Sequence, residues 1–160
     1  MVSDKIQLTT EDEHYMFEAL KEAAKAAELG EVPVGAVIVN NGEIIARAHN
    51  MVETNHASTA HAELLAIARA ESALDAKWLP DATMYVTLEP CSMCAGAMVL
   101  ARMKRLVIGT EDPKTGACGS LLNIADNAAL NHRIDTTIGV LREECSTMLK
   151  EFFRNRRTNA

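Results

Sequence analysis

The sequence predicts an α/β protein, a three-layer α/β/α sandwich with a five-stranded mixed sheet. Three observations lead to this prediction. Apolar runs of strand length alternate with segments of helical periodicity. Asn41-Gly42, between two such runs, is typical of a tight antiparallel hairpin turn. About two dozen residues separate the last two predicted strands, which is enough for a parallel crossover. A hairpin followed by strand–helix–strand units gives a mixed sheet with helices on both faces.

The first half of the chain reads as a helix, a hairpin and a second helix. Thr10-Glu11-Asp12-Glu13 is a capping box, and apolar residues then recur at helical spacing until Gly30 stops the helix. Strands over 34–39 and 43–48 flank the hairpin turn. We expect an irregular polar stretch over 50–59 and a helix over 61–70 with its N-cap near Thr59.

The second half reads as three strands that alternate with helices or turns. Residues 82–88 are rich in strand-forming types, and Glu89-Pro90 ends the run. Pro90 is favourable at a first helical position, so a helix is predicted from there to about residue 102. The remaining elements are a strand over 106–109, turns with a short helix, a strand over 134–140 and a C-terminal helix from Leu141 with one apolar face.

Length and composition describe an ordinary globular protein. The 160 residues are most simply one domain, 48% of them hydrophobic and 24% charged. We expect no membrane span and no secretory signal, and hence the cytoplasm, where four cysteines are more often ligands and buried thiols than disulfides. The net charge of −6 argues against a general nucleic-acid binder but leaves room for a local basic patch.

Two short motifs together predict a catalytic zinc site. His61-Ala62-Glu63 supplies an imidazole and a carboxylate, and Cys91-Ser92-Met93-Cys94 supplies two thiols. One imidazole and two thiolates suit Zn²⁺, and three protein ligands leave a fourth position open for water. Glu63 beside the ligand His61 would move protons to and from that water, and its pKa should be raised. Both motifs fall at predicted helix N-termini, which should depress the pKa of both thiols.

Each motif alone has another interpretation. Cys-x-x-Cys occurs in structural zinc sites and in redox pairs, and His-x-Glu alone indicates little. In this order, with Pro90 before the first cysteine, they form the signature of zinc deaminases. That chemistry is attack of zinc-activated water on an aminated ring carbon, with Glu63 moving protons to the ring nitrogen and the leaving ammonia. Cys118 and Cys145 are expected to be small buried hydrophobic residues.

On these motifs the chain resembles the bacterial tRNA-specific adenosine deaminases of the cytidine deaminase-like superfamily. The resemblance extends from the first helix to about Arg157. Its segments are 31–37, Asn50, 60–63, 85–98, Asp112-Pro113-Lys114-Thr115-Gly116, Asn131-His132-Arg133 and Phe152-Phe153-Arg154-x-x-Arg157. The last three are the ones more specific for tRNA substrates.

The resemblance implies a homodimer that converts adenosine to inosine at the wobble position of an arginine tRNA anticodon. It implies one Zn²⁺ per subunit, no nucleotide cofactor, and a cytidine deaminase-like fold. It makes His61, Cys91 and Cys94 the zinc ligands and Glu63 the proton shuttle. The residues it places against the tRNA anticodon loop or the target base are Asn50, Ala62, Asp112, Lys114, Asn131, His132, Phe153, Arg154 and Arg157.

Two of these assignments also have support from the residues themselves. The amide of Asn50 can both donate to and accept from a purine edge, although an Asn here can also satisfy a turn. Residues 150–157 carry four basic residues and one acid in an acidic chain, and a flanking phenylalanine can stack on an unpaired base or pack its helix. The chain stops soon after Arg157, so we expect weaker tRNA affinity than with a longer basic tail.

Two rival functions stay open from the sequence. The first is a deaminase of free guanine or cytosine on the same fold, against which the basic C-terminal segment counts. The second is a non-catalytic zinc protein, such as a structural subunit or an RNA-binding module. Glu63 counts against the second, because zinc binding alone does not require it.

Overall fold

A computed structural model describes residues 6–159 and contains the predicted five-stranded mixed sheet. The strand order is β2-β1-β3-β4-β5. The elements are α1 (Glu11–Glu28), β1 (Gly35–Asn40), β2 (Glu43–His49), α2 (Val52–Asn55), α3 (Ala62–Leu74), β3 (Ala82–Leu88), α4 (Ser92–Leu100), β4 (Arg105–Thr110), β5 (Asp135–Ile138) and α5 (Arg142–Thr158).

The local signals at α1 and at the hairpin work as predicted. The Thr10 side chain accepts a hydrogen bond from the Glu13 backbone N–H, and the Glu13 carboxylate accepts one from the Thr9 N–H. Asn41 and Gly42 have φ values of 52° and 78°, the left-handed pair that a tight two-residue hairpin turn requires. β1 therefore pairs antiparallel with β2 and, on its other side, with β3, whereas β3–β4 and β4–β5 are parallel.

Helices cover both faces of the sheet, which confirms the three-layer prediction. On one face α3 and α4 pack Ala66, Ile67 and Met98 against the strands. On the other face α1 and α5 pack around Val37 and Val107 of the central strands. Cys145 of α5 lies so close to Gly109 that a Cβ there would meet its sulfur at 2.4 Å, so the glycine lets α5 approach β4. Cys118 and Cys145 are buried, as expected.

The strand directions bring several chain segments to one edge of the sheet. β1 begins at this edge, and β2, β3 and β4 end there, because β1 runs antiparallel to its neighbours. Val34, Asn50, Glu89 and Asp112 therefore lie at the same edge, where α3 and α4 also begin. Ligand sites in open α/β sheets usually lie at the carboxyl ends of strands.

The structure differs from the sequence prediction in four places. Residues 50–59 contain the short helix α2, and the predicted short helix between β4 and β5 is replaced by turns throughout the described residues 111–134. The N-cap of α3 is His61 rather than a residue near Thr59, because a turn closed by the Ala60 N–H and Ala57 C=O precedes the helix. Pro90 precedes the α4 N-cap Cys91 and is not a helical residue.

Within residues 6–159 no helix combines the length and apolar character that crossing a bilayer requires.

Candidate active site and metal centre

The two sequence motifs meet in space at the starts of α3 and α4. His61 is the N-cap of α3 and Cys91 the N-cap of α4, both with extended backbone, and Cys94 lies in the first turn of α4. The Nδ1 atom of His61 is 3.6 Å from the Cys91 Sγ and 3.5 Å from the Cys94 Sγ. The three ligand atoms lie within 4.8 Å of one another. The two motifs therefore form a cluster of side chains that could hold a metal ion.

The spacing of these atoms fits zinc. A tetrahedral Zn²⁺ with bonds of about 2.3 Å to sulfur and about 2.05 Å to nitrogen separates a sulfur from a nitrogen ligand by about 3.6 Å. Both nitrogen–sulfur distances in the cluster match this tetrahedral edge within 0.1 Å or so. With three protein donors, a tetrahedral ion keeps one position for water or substrate, as in catalytic zinc sites.

The protein's own charges make the two thiols unequal. The pKa of Cys91 is lowered to about 3 because the Cys94 thiol and His61 both donate hydrogen bonds to its thiolate. The pKa of Cys94 is raised, first because its S–H is committed to Cys91 and then by burial. The expectation that the pKa of both thiols would be lowered is therefore wrong for Cys94 when only the protein's own groups act on it. A dipositive ion between the sulfurs supplies the charge that favours a second thiolate.

Glu63 is buried in the first turn of α3, close to this cluster. Burial raises the pKa of its carboxyl group, and the Cys91 thiolate adds to the increase, while the helix backbone and His61 oppose it. The raised pKa agrees with the sequence prediction, although burial is the first cause. A raised pKa makes it easier for the carboxyl group to hold a proton between two transfers.

A pocket of about 280 Å³ opens beside the cluster at the same edge of the sheet. His61, Glu63, Cys91 and Asn50 all line it. Ala62 and Asp112 also line it, as do the apolar side chains Val32, Val34, Val52 and Leu88. A mostly apolar pocket with a few convergent polar groups is typical of a site for a small planar ligand.

The Asn50 side chain both lines the pocket and holds the local backbone. Its Nδ2 donates to the Val32 C=O at 3.3 Å, and its Oδ1 accepts from the Val52 N–H at 3.3 Å. Asn50 therefore does satisfy backbone groups of the local turn, as one interpretation of the sequence expected. Because Asn50 is 9% exposed and lines the pocket, the second N–H and the second lone pair of its amide are available to a ligand.

Glu31 supports one wall of the pocket, a role that the sequence analysis missed. Its fully buried carboxylate accepts hydrogen bonds from the Glu53 N–H at 3.0 Å and from the Thr54 N–H and hydroxyl at 2.6 Å each. These N–H groups belong to the first turn of α2, so Glu31 caps that short helix from a distant segment. Burial alone would raise the pKa of Glu31, but the bonds from Thr54 and Glu53 hold it below its usual range.

Glu89 supports the opposite wall in the same way. Its carboxylate accepts from the backbone N–H groups of Asp112 at 3.0 Å, Cys118 at 3.0 Å and Ser120 at 3.1 Å, and from the Ser120 hydroxyl. These bonds outweigh burial and keep the pKa of Glu89 below its usual range. Gly116 leaves room for this carboxylate, since a Cβ there would meet it at 2.4 Å. The signal available in the sequence was an acidic residue directly between a buried strand and a proline.

The remaining residues predicted to contact substrate lie in three places. Asp112 is at the pocket and folds the next turn by accepting from the Lys114 N–H at 3.0 Å, which leaves the Lys114 side chain exposed nearby. Asn131 and His132 come just before β5, at the opposite edge of the sheet from the pocket. The six-residue strand β4 separates these two edges by about 20 Å. The Asn131 C=O accepts from Arg102, and His132 bonds to the Met103 C=O.

The aromatic and basic residues near the C-terminus lie on the last turns of α5. Phe153, Arg154 and Arg157 are exposed, and Phe153 packs edge-on against Phe152 with ring centroids 5.4 Å apart. None of these three is in the pocket lining, but their neighbour Arg156 is. Arg156 belongs to the basic segment 150–157, but no local signal in the sequence assigns it to the site.

Comparison with known proteins agrees with the site. The model of the MafB19-like deaminase family matches residues 10–157. The chain is 57% identical over 148 residues to a tRNA-specific adenosine deaminase of Bacillus subtilis, covering 92% of each chain. A solved structure from work on A-to-I editing by tRNA:A34 deaminases superposes with a TM-score of 0.82 at 43% identity, over 85% of this chain and 99% of the other. A guanine deaminase of Nitrosomonas europaea has a TM-score of 0.78 at 23% identity, over 94% and 89% of the two chains, a likeness of fold alone. With its His/Cys/Cys cluster and buried glutamate, the chain belongs to the tRNA-specific adenosine deaminase family of hydrolytic deaminases.

Proposed function

We propose that the protein deaminates adenosine to inosine at the wobble position of a tRNA anticodon, with an arginine tRNA as substrate. The observation that carries the proposal is the placement of Glu63 beside the His61/Cys91/Cys94 cluster, inside a pocket open enough to admit a base. A non-catalytic zinc protein has no need of a buried carboxylic acid at that position. An anticodon loop presents its bases unpaired, which lowers the cost of placing one in a pocket.

One zinc ion per subunit is held by His61 Nδ1 and the two thiolates in this proposal. When bound, zinc supplies Lewis acidity that lowers the pKa of a coordinated water. Glu63 takes one proton from the attacking water and delivers it to the ring nitrogen. It then takes the proton of the new hydroxyl on the attacked carbon and delivers it to the amino group, whose bond to that carbon breaks as ammonia leaves. Its burial keeps bulk water away from these transfers and favours the protonated form between them.

The base itself is held by Asn50 and by the start of α3. The Asn50 amide offers a donor and an acceptor to a purine edge. The Ala62 backbone N–H is in the first turn of α3, where such groups have no partner within the helix, so it can donate to the base. Asp112, at the opposite wall, contacts the nucleotide from the side of the Glu89-supported turn.

The rest of the anticodon loop lies over the pocket rim and α5. Lys114, Arg154 and Arg157 are exposed cations that can hold phosphates, and Phe153, 41% exposed, can stack on a neighbouring base. Asn131 and His132, at the other edge of the sheet, would contact RNA away from the edited base.

A homodimer is also proposed, and α4 supplies a surface for it. Met93, Gly96 and Leu100 lie on its outer face, none of them is buried, and Leu100 is 78% exposed. A Cβ on Gly96 would meet nothing within 4 Å, so the backbone is open to close approach. A helix with apolar residues on all sides is normally buried, which favours coverage of this face by a second copy. Action on tRNA further suggests a cytoplasmic protein.

The proposal is tested by incubating the zinc-loaded protein with an anticodon stem-loop that carries adenosine at the wobble position. Nuclease digestion followed by mass spectrometry should show inosine, and a stem-loop with guanosine at that position is the matched control. Free guanine and free cytosine are run in parallel. Turnover of a free base without inosine in RNA would replace this proposal with the rival base-deaminase function.

A further inference from the structure

We propose that Arg156 binds a phosphate next to the edited adenosine and thereby makes the pocket selective for adenosine within an RNA chain. The inference rests on the proposed function, because it concerns how that substrate is distinguished from a free base or nucleoside. Arg156 comes from the last turns of α5, yet its side chain lines the same pocket as His61 and Glu63.

The charge of the pocket lining makes this arginine exceptional. Among the described residues that line the pocket, Arg156 is the single lysine or arginine. The carboxylates in the lining are Glu31, Glu53, Glu63, Glu89 and Asp112. An RNA phosphate that approaches this opening therefore meets mostly negative side chains.

The acidic residues do not all oppose RNA to the same extent. Glu31 and Glu89 are buried and already accept several N–H and O–H donors, so their charges are locally compensated. Glu53 is exposed. Asp112 accepts hydrogen bonds from the Lys114 and Thr115 N–H groups and the Thr115 hydroxyl, but it is only half-buried, so both residues lie at the solvent-accessible rim. A base that enters the pocket leaves its flanking phosphodiesters near these two carboxylates, and a guanidinium there offsets the repulsion.

The structure holds Arg156 in a position suited to this task. Its Cζ lies 5.7 Å from the centroid of the Phe152 ring, so the guanidinium rests against an aromatic face. Within residues 6–159 no carboxylate lies within 4.0 Å of its nitrogen atoms, so its donors are not already used in an ion pair. Guanidinium groups bind phosphate with two parallel hydrogen bonds, a geometry that lysine lacks.

The position of α5 brings this residue to the pocket. Cys145, in the first turn of α5, is packed against Gly109 of β4 near the site edge of the sheet. Arg156 follows eleven residues later, about 16 Å along the helix axis. Because Arg156 lines the pocket, the last turns of α5 lie at its opening, where a phosphate beside a bound nucleotide would lie.

The test combines one side-chain change with one change in the RNA. Stem-loops are prepared with a single uncharged methylphosphonate on the 5′ side or on the 3′ side of the wobble adenosine. The zinc-loaded wild-type protein and the R156Q, R156K and R157Q variants are assayed for inosine formation on each. R157Q is the matched control because it removes the same charge from the same helix turn, but from a side chain outside the pocket lining.

We expect kcat/KM of the wild-type protein to fall about tenfold or more with one of the two methylphosphonates, as for loss of a charged hydrogen bond. R156Q should show a similar fall on ordinary RNA and no further fall on that modified RNA. R157Q should stay as sensitive to the modification as the wild type, and R156K should recover only part of the loss. Slow turnover of free adenosine, which has no phosphate, should be the same in wild type and R156Q.

Unchanged methylphosphonate sensitivity in R156Q would overturn the inference, as would equal behaviour of R156Q and R157Q. In both cases inosine formation by the wild type would leave the proposed function standing. Absence of inosine in every stem-loop with the wild-type protein would overturn the proposed function and this inference together.

Discussion

Replacing Glu31 with glutamine should loosen one wall of the pocket while the zinc cluster stays intact. The carboxylate accepts three hydrogen bonds from α2, one from Glu53 and two from Thr54. An amide keeps only one oxygen. If that oxygen stays on Thr54, the amide NH₂ faces the Glu53 N–H, so one bond is lost and the other two lose their charge.

The size of the effect follows from these three bonds. A hydrogen bond to a charged group contributes about 1 kcal/mol more than a neutral one, and a lost neutral bond contributes about 1 kcal/mol. Relief from burying a charge offsets part of the total. We expect local opening of residues 52–57 to become easier by about 2 kcal/mol, which is roughly a 30-fold larger opening constant.

Amide hydrogen exchange measures this opening directly. Exchange in residues 52–57 should accelerate roughly 30-fold in E31Q, while exchange in the central strands β1 and β3 changes much less. The matched control is E28Q, because Glu28 is an exposed glutamate at the end of α1. Unaltered exchange over residues 52–57 in E31Q, or equal acceleration in E28Q, would refute the reasoning.

The pH dependence of amide protection in residues 52–57 tests the same role of Glu31 independently. The pKa of Glu31 is lowered from its usual value near 4.5 in the folded protein. Its contribution is therefore fully present above pH 4.5 and is lost as the pH falls through the lower native pKa. Protection of residues 52–57 should decrease in that acidic range in the wild type, and E31Q should lack this component.

Three further predictions concern the metal, the acid–base group and the dimer. E63Q should retain one zinc per chain by elemental analysis but lose inosine formation by at least about 10²-fold, and near-normal activity would remove Glu63 from the proton transfers. C91S and C94S should lose zinc and show a lower Tm. The control C145S, which changes a buried thiol on the other face of the sheet, should keep its zinc. Full zinc content in C91S or C94S would contradict the ligand assignment. L100K should shift the protein toward the monomer in light scattering while L29K, which changes an exposed leucine after α1, should not, and a monomeric wild type would contradict the proposed interface.

Local sequence signals predicted most of the helices and strands, because each signal depends on residues that are neighbours in the chain. Thr10 caps α1 through Glu13, and Asn41-Gly42 closes the hairpin. The zinc motifs were found because side-chain chemistry and spacing suffice to recognise them. α2 was missed because four residues are too few for a periodic pattern and its cap, Glu31, is more than twenty residues away. Arg156 was not assigned to the pocket because only the packing of α5 on β4 brings it there.

Glu31 and Glu89 show that the pocket walls are held differently from the His61/Cys91/Cys94 cluster. The His61/Cys91/Cys94 cluster lies on α3 and α4, which are anchored by the apolar core, whereas each wall is held mainly by one buried carboxylate that accepts backbone N–H groups. The two carboxylates share no hydrogen-bond partner, since Glu31 binds residues of α2 and Glu89 binds the turns after β4. Destabilisation by E31Q and E89Q in urea unfolding should therefore add to within about 0.5 kcal/mol in the double variant. A larger departure from additivity would mean that the two walls support each other across the pocket, and that loosening one of them also alters how the other meets the base.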